Sequence, residues 1–223
     1  MSPPRTQFGA FPATYSLLIL IGLVFLLEVI AGGSTSSRVL LGLGANEPGR
    51  IVGQGEWWRM LTSAFLHIGV FHLLLNGWAL LQIGRLAEST FGSALTLSLF
   101  VFTAITGSAL TLLQPKVSAG ASGAIFGLVG ALVSFLLRHR EHLTPTGRRI
   151  LTDLLVWSAV LMAYSFIVPR IDWLGHLGGF LGGAAVGWAL PVRRAERGWA
   201  RGLAFVSAAA IAAALLTAVV RFF

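Results

Sequence analysis

Seven apolar runs alternate with short polar connections along the chain. Each run is long enough, or nearly so, to cross about 30 Å of hydrocarbon as a helix. The predicted spans are Tyr15–Ala31, Leu61–Ile83, Ser93–Leu113, Val117–Leu137, Ile150–Val168, Trp173–Pro191 and Leu203–Val220. The pattern therefore predicts an all-α polytopic membrane protein that begins with a short tail at residues 1–14.

The composition agrees with a chain that lies almost entirely in or beside a bilayer. Hydrophobic residues make up 56% of the sequence and charged residues 11%, whereas a soluble domain carries about 25% charged residues. The formal net charge is +8, which would suit binding to nucleic acid. However, the sequence has no basic helix and no basic–aromatic stripe, so no nucleic acid is expected as a partner. The absence of cysteine excludes disulfides, thiolate metal sites and a cysteine nucleophile.

The arginines predict the orientation in the membrane. With the N-terminus inside, two dense arginine clusters, at 138–149 and 193–201, lie on the cytoplasmic side next to helix ends, while the outer positive charges are scattered. Positive residues near helix ends favour this arrangement. The first residues resemble neither a removable signal nor a transit peptide. A bacterial cytoplasmic membrane is therefore the expected location, with an archaeal one as the alternative, and membrane lipids surround the helices.

One connection is much longer than the others. Residues 32–59 join the first two spans and end in Trp57, Trp58 and Arg59. These side chains suit an amphipathic segment at the outer interface, with the indoles at the depth of the lipid headgroups. A plain aromatic anchor explains them equally well.

Three of the five histidines fall within apolar runs, at His67, His72 and His176. Ionisable residues inside spans are costly and are candidates for function. At about 100° per residue, His72 and Asn76 share one helix face, while His67 points elsewhere. An interhelical hydrogen bond explains either histidine alone, but the pair favours function. No His-Glu-x-x-His is present and no carboxylate lies one turn away, so a metal site is not expected.

Two spans carry small residues that allow close backbone packing. The sixth span has glycines at 175, 179, 183 and 187, and the fourth has glycines at 123, 127 and 130. His176 lies beside the first stripe, and Ser122 begins the second at a similar predicted depth. If the stripes pack together, the hydroxyl meets the imidazole. A packing face with an incidental histidine explains the glycines, but not the matching depth.

A serine beside a histidine forms an activated nucleophile with a general base. Ser122 is expected to begin a helix, whose N-terminal amides favour developing negative charge. Backbone N–H groups near Gly120 and the side chains of His72 and Asn76 are candidate oxyanion donors. No acidic residue is expected where it could orient the base. The sequence therefore predicts a Ser–His dyad, with Phe126 stacked on the imidazole.

These motifs resemble those of the rhomboid family of intramembrane serine proteases. Its motifs are matched, in order, by Trp58-Arg59, by His67, His72 and Asn76 (His-x4-His-x3-Asn), by Gly-x-Ser-Gly at 120–123, and by His176, Gly179 and Gly183 (His-x2-Gly-x3-Gly). The seventh span after "RRAERGWAR" resembles the six-plus-one form of the family. Phe126 departs from the pattern, because many members carry a tyrosine there.

The resemblance implies a six-helix protease core at 15–192, with a water-filled cavity open to the outside, and a basic linker with an extra helix at 193–223. It implies Ser122 as nucleophile and His176 as base. It further implies oxyanion and supporting roles for His72, Asn76, the backbone of Ser122, Gly120, Gly123, Gly179, Phe126, Trp58 and Arg59. The substrates would be single-span membrane proteins cut within or beside the transmembrane segment. A loop at about 168–173 would cap the site, and no cofactor or metal is needed.

Two other functions remain open on the sequence. An inactive relative would bind membrane proteins without cutting them, although the intact Ser122 and His176 argue against it. A small-solute transporter would use the same polar residues in another way. Transporters usually show paired halves with matching interrupted helices, and the sequence has no such duplication.

Overall fold

The computed structural model describes residues 10–191 and 199–223, and its regular elements are helices. In chain order they are α1 (Pro12–Ile30), α2 (Ser37–Gly42), α3 (Pro48–Gln54), α4 (Arg59–Thr62), α5 (Val70–Phe91), α6 (Ser93–Thr111), α7 (Ser122–Arg138), α8 (Pro145–Ile167), α9 (Trp173–Ala189) and α10 (Ala200–Phe222). A short 3-10 turn, Arg140–His142, follows α7. Helices α2 and α3 lie within the long connection at 32–59, and α4 begins at its last residue.

Local residues explain several helix boundaries. Glycines with positive φ, Gly69 at 81° and Gly92 at 87°, precede and follow α5. The side chain of Thr144 accepts a hydrogen bond from the first turn of α8, and the carboxylate of Asp172 does the same for α9. Such N-cap contacts satisfy amides that have no acceptor within the helix.

Among the described residues, α1, α6, α8 and α10 are long and apolar enough to cross a membrane, and α7 is a shorter apolar helix. Large apolar side chains are exposed along these helices, including Leu23 on α1, Trp157 on α8 and Phe205 on α10. Exposed apolar surface of this extent, on helices whose backbones satisfy their own hydrogen bonds, is typical of contact with lipid. The chain is an integral membrane protein.

The second and fourth predicted spans begin later than the sequence indicates. Residues 61–69 do not belong to the second helix, which starts at Val70, because the positive φ of Gly69 interrupts it. Residues 117–121 likewise precede the fourth helix, which starts at Ser122. There the backbone of Ser118 pairs with Asn46, and Gly120 has a φ of 136°. Both predicted starts were wrong because the short helix α4 with its following turns, and the segment that pairs with Asn46, are apolar enough to look like parts of one continuous helix in hydropathy alone.

Other boundaries differ less. Helix α1 begins at Pro12, inside the predicted tail, and α8 begins at Pro145 rather than at 150. Proline is favoured in the first turn of a helix, where its missing N–H costs nothing. Helix α5 continues to Phe91, beyond the predicted end at 83. Residues 1–9 of the predicted tail and 193–198 of the predicted linker lie outside the described residues.

The glycine stripes of α7 and α9 pack against one another, as their sequences predict. A Cβ added at Gly179 would collide with the backbone of Gly123, and one added at Gly183 would collide with Gly127. Helix α7 is buried along most of its length, with α6 packed on the same pair of helices. This backbone-to-backbone contact fixes the first turns of α7 and α9 beside each other.

Candidate active site

Ser122 and His176 are hydrogen-bonded to each other across the contact between α7 and α9. Ser122 is the first residue of α7, and His176 lies in the first turn of α9. The Ser122 Oγ and His176 Nε2 atoms are 2.8 Å apart, a good distance for a hydrogen bond. When Nε2 accepts the hydroxyl proton, the ring proton of the neutral histidine sits on Nδ1. The two predicted residues are thus in position for proton transfer.

His176 has no carboxylate partner in the part of the chain that the structure describes. Nδ1 of His176 is buried without a hydrogen-bond partner there. The nearest candidate, Asp172, accepts hydrogen bonds from the amide of Gly175 and the side chains of Thr111 and Gln114, at 2.6–2.9 Å. That carboxylate therefore caps α9 and ties it to the end of α6, one turn before the histidine.

Phe126 stacks on the imidazole. Its ring centroid lies 4.3 Å from that of His176, and the two planes differ by 15°. Phe126 is one helical turn after Ser122, so the same face of α7 presents the hydroxyl and the ring that stacks on His176. The aromatic contact restricts rotation of the histidine where no carboxylate does so.

His72 presents an N–H group to the same region. Its Nδ1 accepts a hydrogen bond from the amide of Ile68 at 3.3 Å, which places the proton of the neutral ring on Nε2. A Cβ added at Gly120 would lie 2.9 Å from that Nε2. Asn76 donates from Nδ2 to the carbonyl of His72 at 2.9 Å. Both residues line the cavity that contains Ser122 and His176.

Gly120 does not offer the free amide that the sequence suggests. Its N–H donates to the carbonyl of Ser63 at 2.9 Å. The expectation of an oxyanion donor at this position is wrong, because the amide holds the loop in place. Gly120 instead provides the left-handed φ and the space that the ring of His72 fills. The amides of Ser122 and Gly123 begin a helix and have no acceptor within it.

His67 lies next to His72, not on the far side of a shared helix. The two ring centroids are 5.3 Å apart. His67 donates from Nδ1 to the carbonyl of Phe65, and its Nε2 faces the amide of Ala121 at 3.5 Å. Its own amide donates to Glu28 at 2.9 Å. The sequence does not predict that His67 packs on His72, because the expected 100° per residue applies only within a helix, and this helix begins at Val70. The glycine between the two histidines was the available signal.

Arg59 is a buried structural cation and not an interfacial one. It is 2% exposed, and its Nε lies 2.6 Å from Oε2 of Glu56. Its Nη1 donates to the carbonyls of Leu41 and Ala45, and its guanidinium lies 4.6 Å above the ring of Trp58. The predicted interfacial position is wrong for Arg59 but fits the exposed neighbour Trp57.

Glu56 is the only acidic partner of Arg59 among the ion pairs of the described chain. Burial alone would raise the pKa of Glu56, but the hydrogen bonds and charges of Arg59 and Arg221 outweigh it and lower that pKa below its ordinary value. Glu56 is therefore ionised at neutral pH.

Two cavities meet at Ser122. One, of about 750 Å³, is lined by Ser122, His72, His176 and residues of the loop at 168–172. The other, of about 630 Å³, is an apolar cleft between α5 and α8, lined by residues such as Trp78 and Trp157. Ser122, Asn76 and Phe126 border both. Ser122 is thus reachable from a cavity with many polar side chains and from an apolar one.

The loop at 168–172 is fastened over the polar cavity. Lys116, the single lysine of the sequence, donates from Nζ to the carbonyls of Pro169 and Ile171 at 2.9 and 2.8 Å. The side chains of Thr111 and Gln114, which donate to Asp172, hold the other end of the loop. The segment matches the cap predicted at about 168–173.

Comparison with known proteins agrees with these motifs. The family model of the Rhomboid domain matches residues 54–193. Rhomboid protease GluP of Bacillus subtilis is 42% identical over 188 residues, which cover 83% of this chain and 36% of the relative. RHOMBOID-like protein 1 of Arabidopsis thaliana is 36% identical over 160 residues, 71% of this chain and 41% of the relative.

A further relative, Rhomboid-like protease 5 of Toxoplasma gondii, is 35% identical over 159 residues, which cover 70% of this chain and 19% of that protein. The chain spans only a fifth to two fifths of the length of these three relatives. The matched domain, however, covers more than half of this chain and contains both Ser122 and His176. The chain belongs to the rhomboid family.

Proposed function

We propose that the protein is an intramembrane serine endopeptidase that hydrolyses peptide bonds within or beside the transmembrane segment of single-span membrane proteins. The observation that carries this proposal is the 2.8 Å contact between Ser122 Oγ and His176 Nε2 within a cavity. Membership of a family with protease relatives supports it.

The first half of the reaction forms an acyl-enzyme. His176 Nε2 takes the proton of Ser122 as Oγ attacks the scissile carbonyl. The carbonyl oxygen becomes an oxyanion, which the amides of Ser122 and Gly123 and the Nε2–H of His72 are placed to stabilise. The protonated His176 then donates its proton to the leaving amine. In the second half, water attacks the ester carbonyl while His176 takes a proton from the water. The second tetrahedral intermediate then collapses, His176 returns the proton to Ser122 Oγ, and the carboxyl product leaves.

A dyad suffices here because the imidazole is held by other means. Phe126 fixes the ring plane by stacking, and the Asp172 cap fixes the helix that carries the base. In serine proteases with a catalytic triad, the third residue is a carboxylate that orients the histidine and stabilises its cation. In this protein the orientation comes from packing, and the reaction uses only protein groups and water, with no metal or cofactor.

The two cavities suggest how substrate and water arrive separately. The apolar cleft between α5 and α8 is suited to an unwound transmembrane segment, and the polar cavity to water. Helix α8 is largely exposed, with only Leu151, Leu154 and Ser165 buried. Movement of α8 together with the loop at 168–172 would open the cleft, as lids do in many enzymes.

We also propose a membrane arrangement of six core spans plus one. Helices α1 and α5–α9 would form the core, which starts at Pro12 rather than at the predicted residue 15, and α10 would be the seventh span. The N-terminus would lie inside, with the cavity opening outward, in a bacterial cytoplasmic membrane. The arginines near the junction of α7 and α8, including Arg138, Arg148 and Arg149, support this orientation. Single-span proteins and membrane lipids are the proposed partners, without nucleic acid.

The proposal is tested by co-expression with a panel of single-span membrane proteins. At least one should be cut by the intact protein and remain whole with Ser122→Ala or His176→Ala, each expressed to the same level. Cleavage that persists in both variants would overturn the assigned dyad. An inactive binder would retain substrates without product, and a transporter would leave every panel member intact.

A further inference from the structure

The outer end of α10 contacts the long outer loop, although α10 lies beyond the matched domain at 54–193. Arg221 Nη1 lies 2.5 Å from Glu56 Oε1. The ring of the next residue, Phe222, lies over Gly42 so closely that a Cβ there would collide with it. The helix also packs on α2, α4 and α6. A charged contact and an apolar contact therefore join α10 to the loop.

Glu56 links two arginines through its two oxygens. Oε1 binds Arg221 and Oε2 binds Arg59 at 2.6 Å. The side chain of Glu56 is 11% exposed and that of Arg59 is 2% exposed, whereas that of Arg221 is 57% exposed. A buried carboxylate held between two guanidiniums is restricted in rotation. Arg221 thus restrains the group that orients the buried Arg59.

Arg59 in turn fixes the loop that precedes Asn46. Its guanidinium binds the carbonyls of Leu41 and Ala45. The backbone of the next residue, Asn46, makes two hydrogen bonds with Ser118, of 2.8 and 2.9 Å. Ser118 stands four residues before the nucleophile in the extended segment that positions α7. A continuous series of polar contacts therefore runs from the end of α10 to the backbone that leads into Ser122.

We propose that Arg221 is a positioning residue, which acts through Glu56 and Arg59 to hold the outer loop and the 118–121 segment in the geometry that serves the oxyanion. The inference rests on the proposed protease function. It gives α10 a role in the rate of the reaction, beyond holding the chain in the membrane.

A simpler role for Arg221 is that of an interfacial anchor, because arginines near helix ends extend to the headgroups. The two roles differ in their dependence on Glu56. A positioning role requires the carboxylate, so the effect of Arg221→Gln should nearly vanish in a Glu56→Gln background. An anchoring role does not, so the two effects should add.

The test measures kcat and KM on a cleaved single-span protein and the rate at which a serine-directed phosphonate labels Ser122. Arg221→Gln should lower kcat and the labelling rate by about two- to fivefold, because partly exposed ion pairs are worth modest energies, with KM unchanged. Arg221→Lys should recover most of the loss. Arg38→Gln, which removes an exposed arginine from α2 of the same loop, is the matched control and should have no effect.

Amide hydrogen exchange at 46, 118 and 120 provides a readout that does not depend on activity. Arg221→Gln should accelerate exchange there, and Arg38→Gln should not. If the phosphonate labels the wild type but Arg221→Gln changes neither the reaction rates nor the amide exchange, the positioning role is overturned. It is also overturned if the losses of kcat in Arg221→Gln and Glu56→Gln add. If the wild type is not labelled at Ser122, the proposed function fails, and the exchange data alone decide whether α10 restrains the loop.

Discussion

Adding one methyl group at Gly179 should disable the site without touching either reacting residue. Gly179 is one helical turn after His176 and faces α7. A Cβ at this position would lie 2.8 Å from the carbonyl carbon of Gly123 and 3.4 Å from its Cα. Carbon atoms in contact are normally about 3.5–4.0 Å apart. The α7 and α9 backbones must therefore separate by about 1 Å at this point in Gly179→Ala.

That separation acts directly on the 2.8 Å contact between Ser122 and His176. A displacement of about 1 Å in a reacting group costs about 100-fold in rate, equivalent to ~2.7 kcal/mol of activation free energy. We expect kcat and the rate of phosphonate labelling at Ser122 to fall together by this factor. The melting temperature in detergent should also drop, because a close contact between two core helices is overpacked.

Two further glycine substitutions calibrate the result. At Gly123 the nearest atom to an added Cβ is the carbonyl oxygen of Gly175 at 3.2 Å, so Gly123→Ala should have a milder effect. At Gly22, on α1, nothing lies within 4 Å, so Gly22→Ala should keep full activity and slightly raise stability. Wild-type kcat in Gly179→Ala, or equal losses in all three variants, would refute the link between helix separation and catalysis.

Three other changes test separate parts of the site. His72→Ala removes the proposed Nε2–H donor and should lower kcat by about 10²–10³-fold, as loss of one oxyanion donor does elsewhere; an unchanged kcat would exclude that role. Lys116→Gln frees the loop at 168–172, so amide exchange in the loop should increase. Cleavage of a membrane protein should also become faster relative to labelling by a small phosphonate. Slower exchange would contradict the role of Lys116 in holding the loop. The low pKa of Glu56 means that its contacts stabilise the fold above pH of about 4.3, its unfolded value, and that this contribution is lost as the pH falls through the folded pKa. The melting temperature should therefore drop more on acidification from pH 6 to 3 in the wild type than in Glu56→Gln, and identical profiles would show that Glu56 is not the titrating group.

The sequence was most informative where chemistry and packing follow a regular helix. Glycines spaced every three or four residues predict that α7 and α9 approach closely, and Ser122 and His176 at matching depths then meet, as the 2.8 Å contact confirms. Phe126, one turn from the serine, stacks on the base as expected. These inferences need only helical periodicity and the small size of glycine.

The sequence was least informative where the backbone leaves the helix. The role of His67 depends on the break at Gly69, and the amide of Gly120 is used by a carbonyl 57 residues earlier in the chain, that of Ser63. Arg59 is buried by carbonyls of a loop that precedes it. Such contacts are set by tertiary structure, and neither hydropathy nor spacing along the chain reports them.

The most direct test of the account is to treat the purified protein with a serine-directed phosphonate and to locate the adduct by mass spectrometry. The account predicts one modified hydroxyl, that of Ser122, and loss of labelling in both Ser122→Ala and His176→Ala while the folded protein is retained. Labelling of another serine, or undiminished labelling of Ser122 in His176→Ala, would contradict the claim that these two residues form the reacting pair.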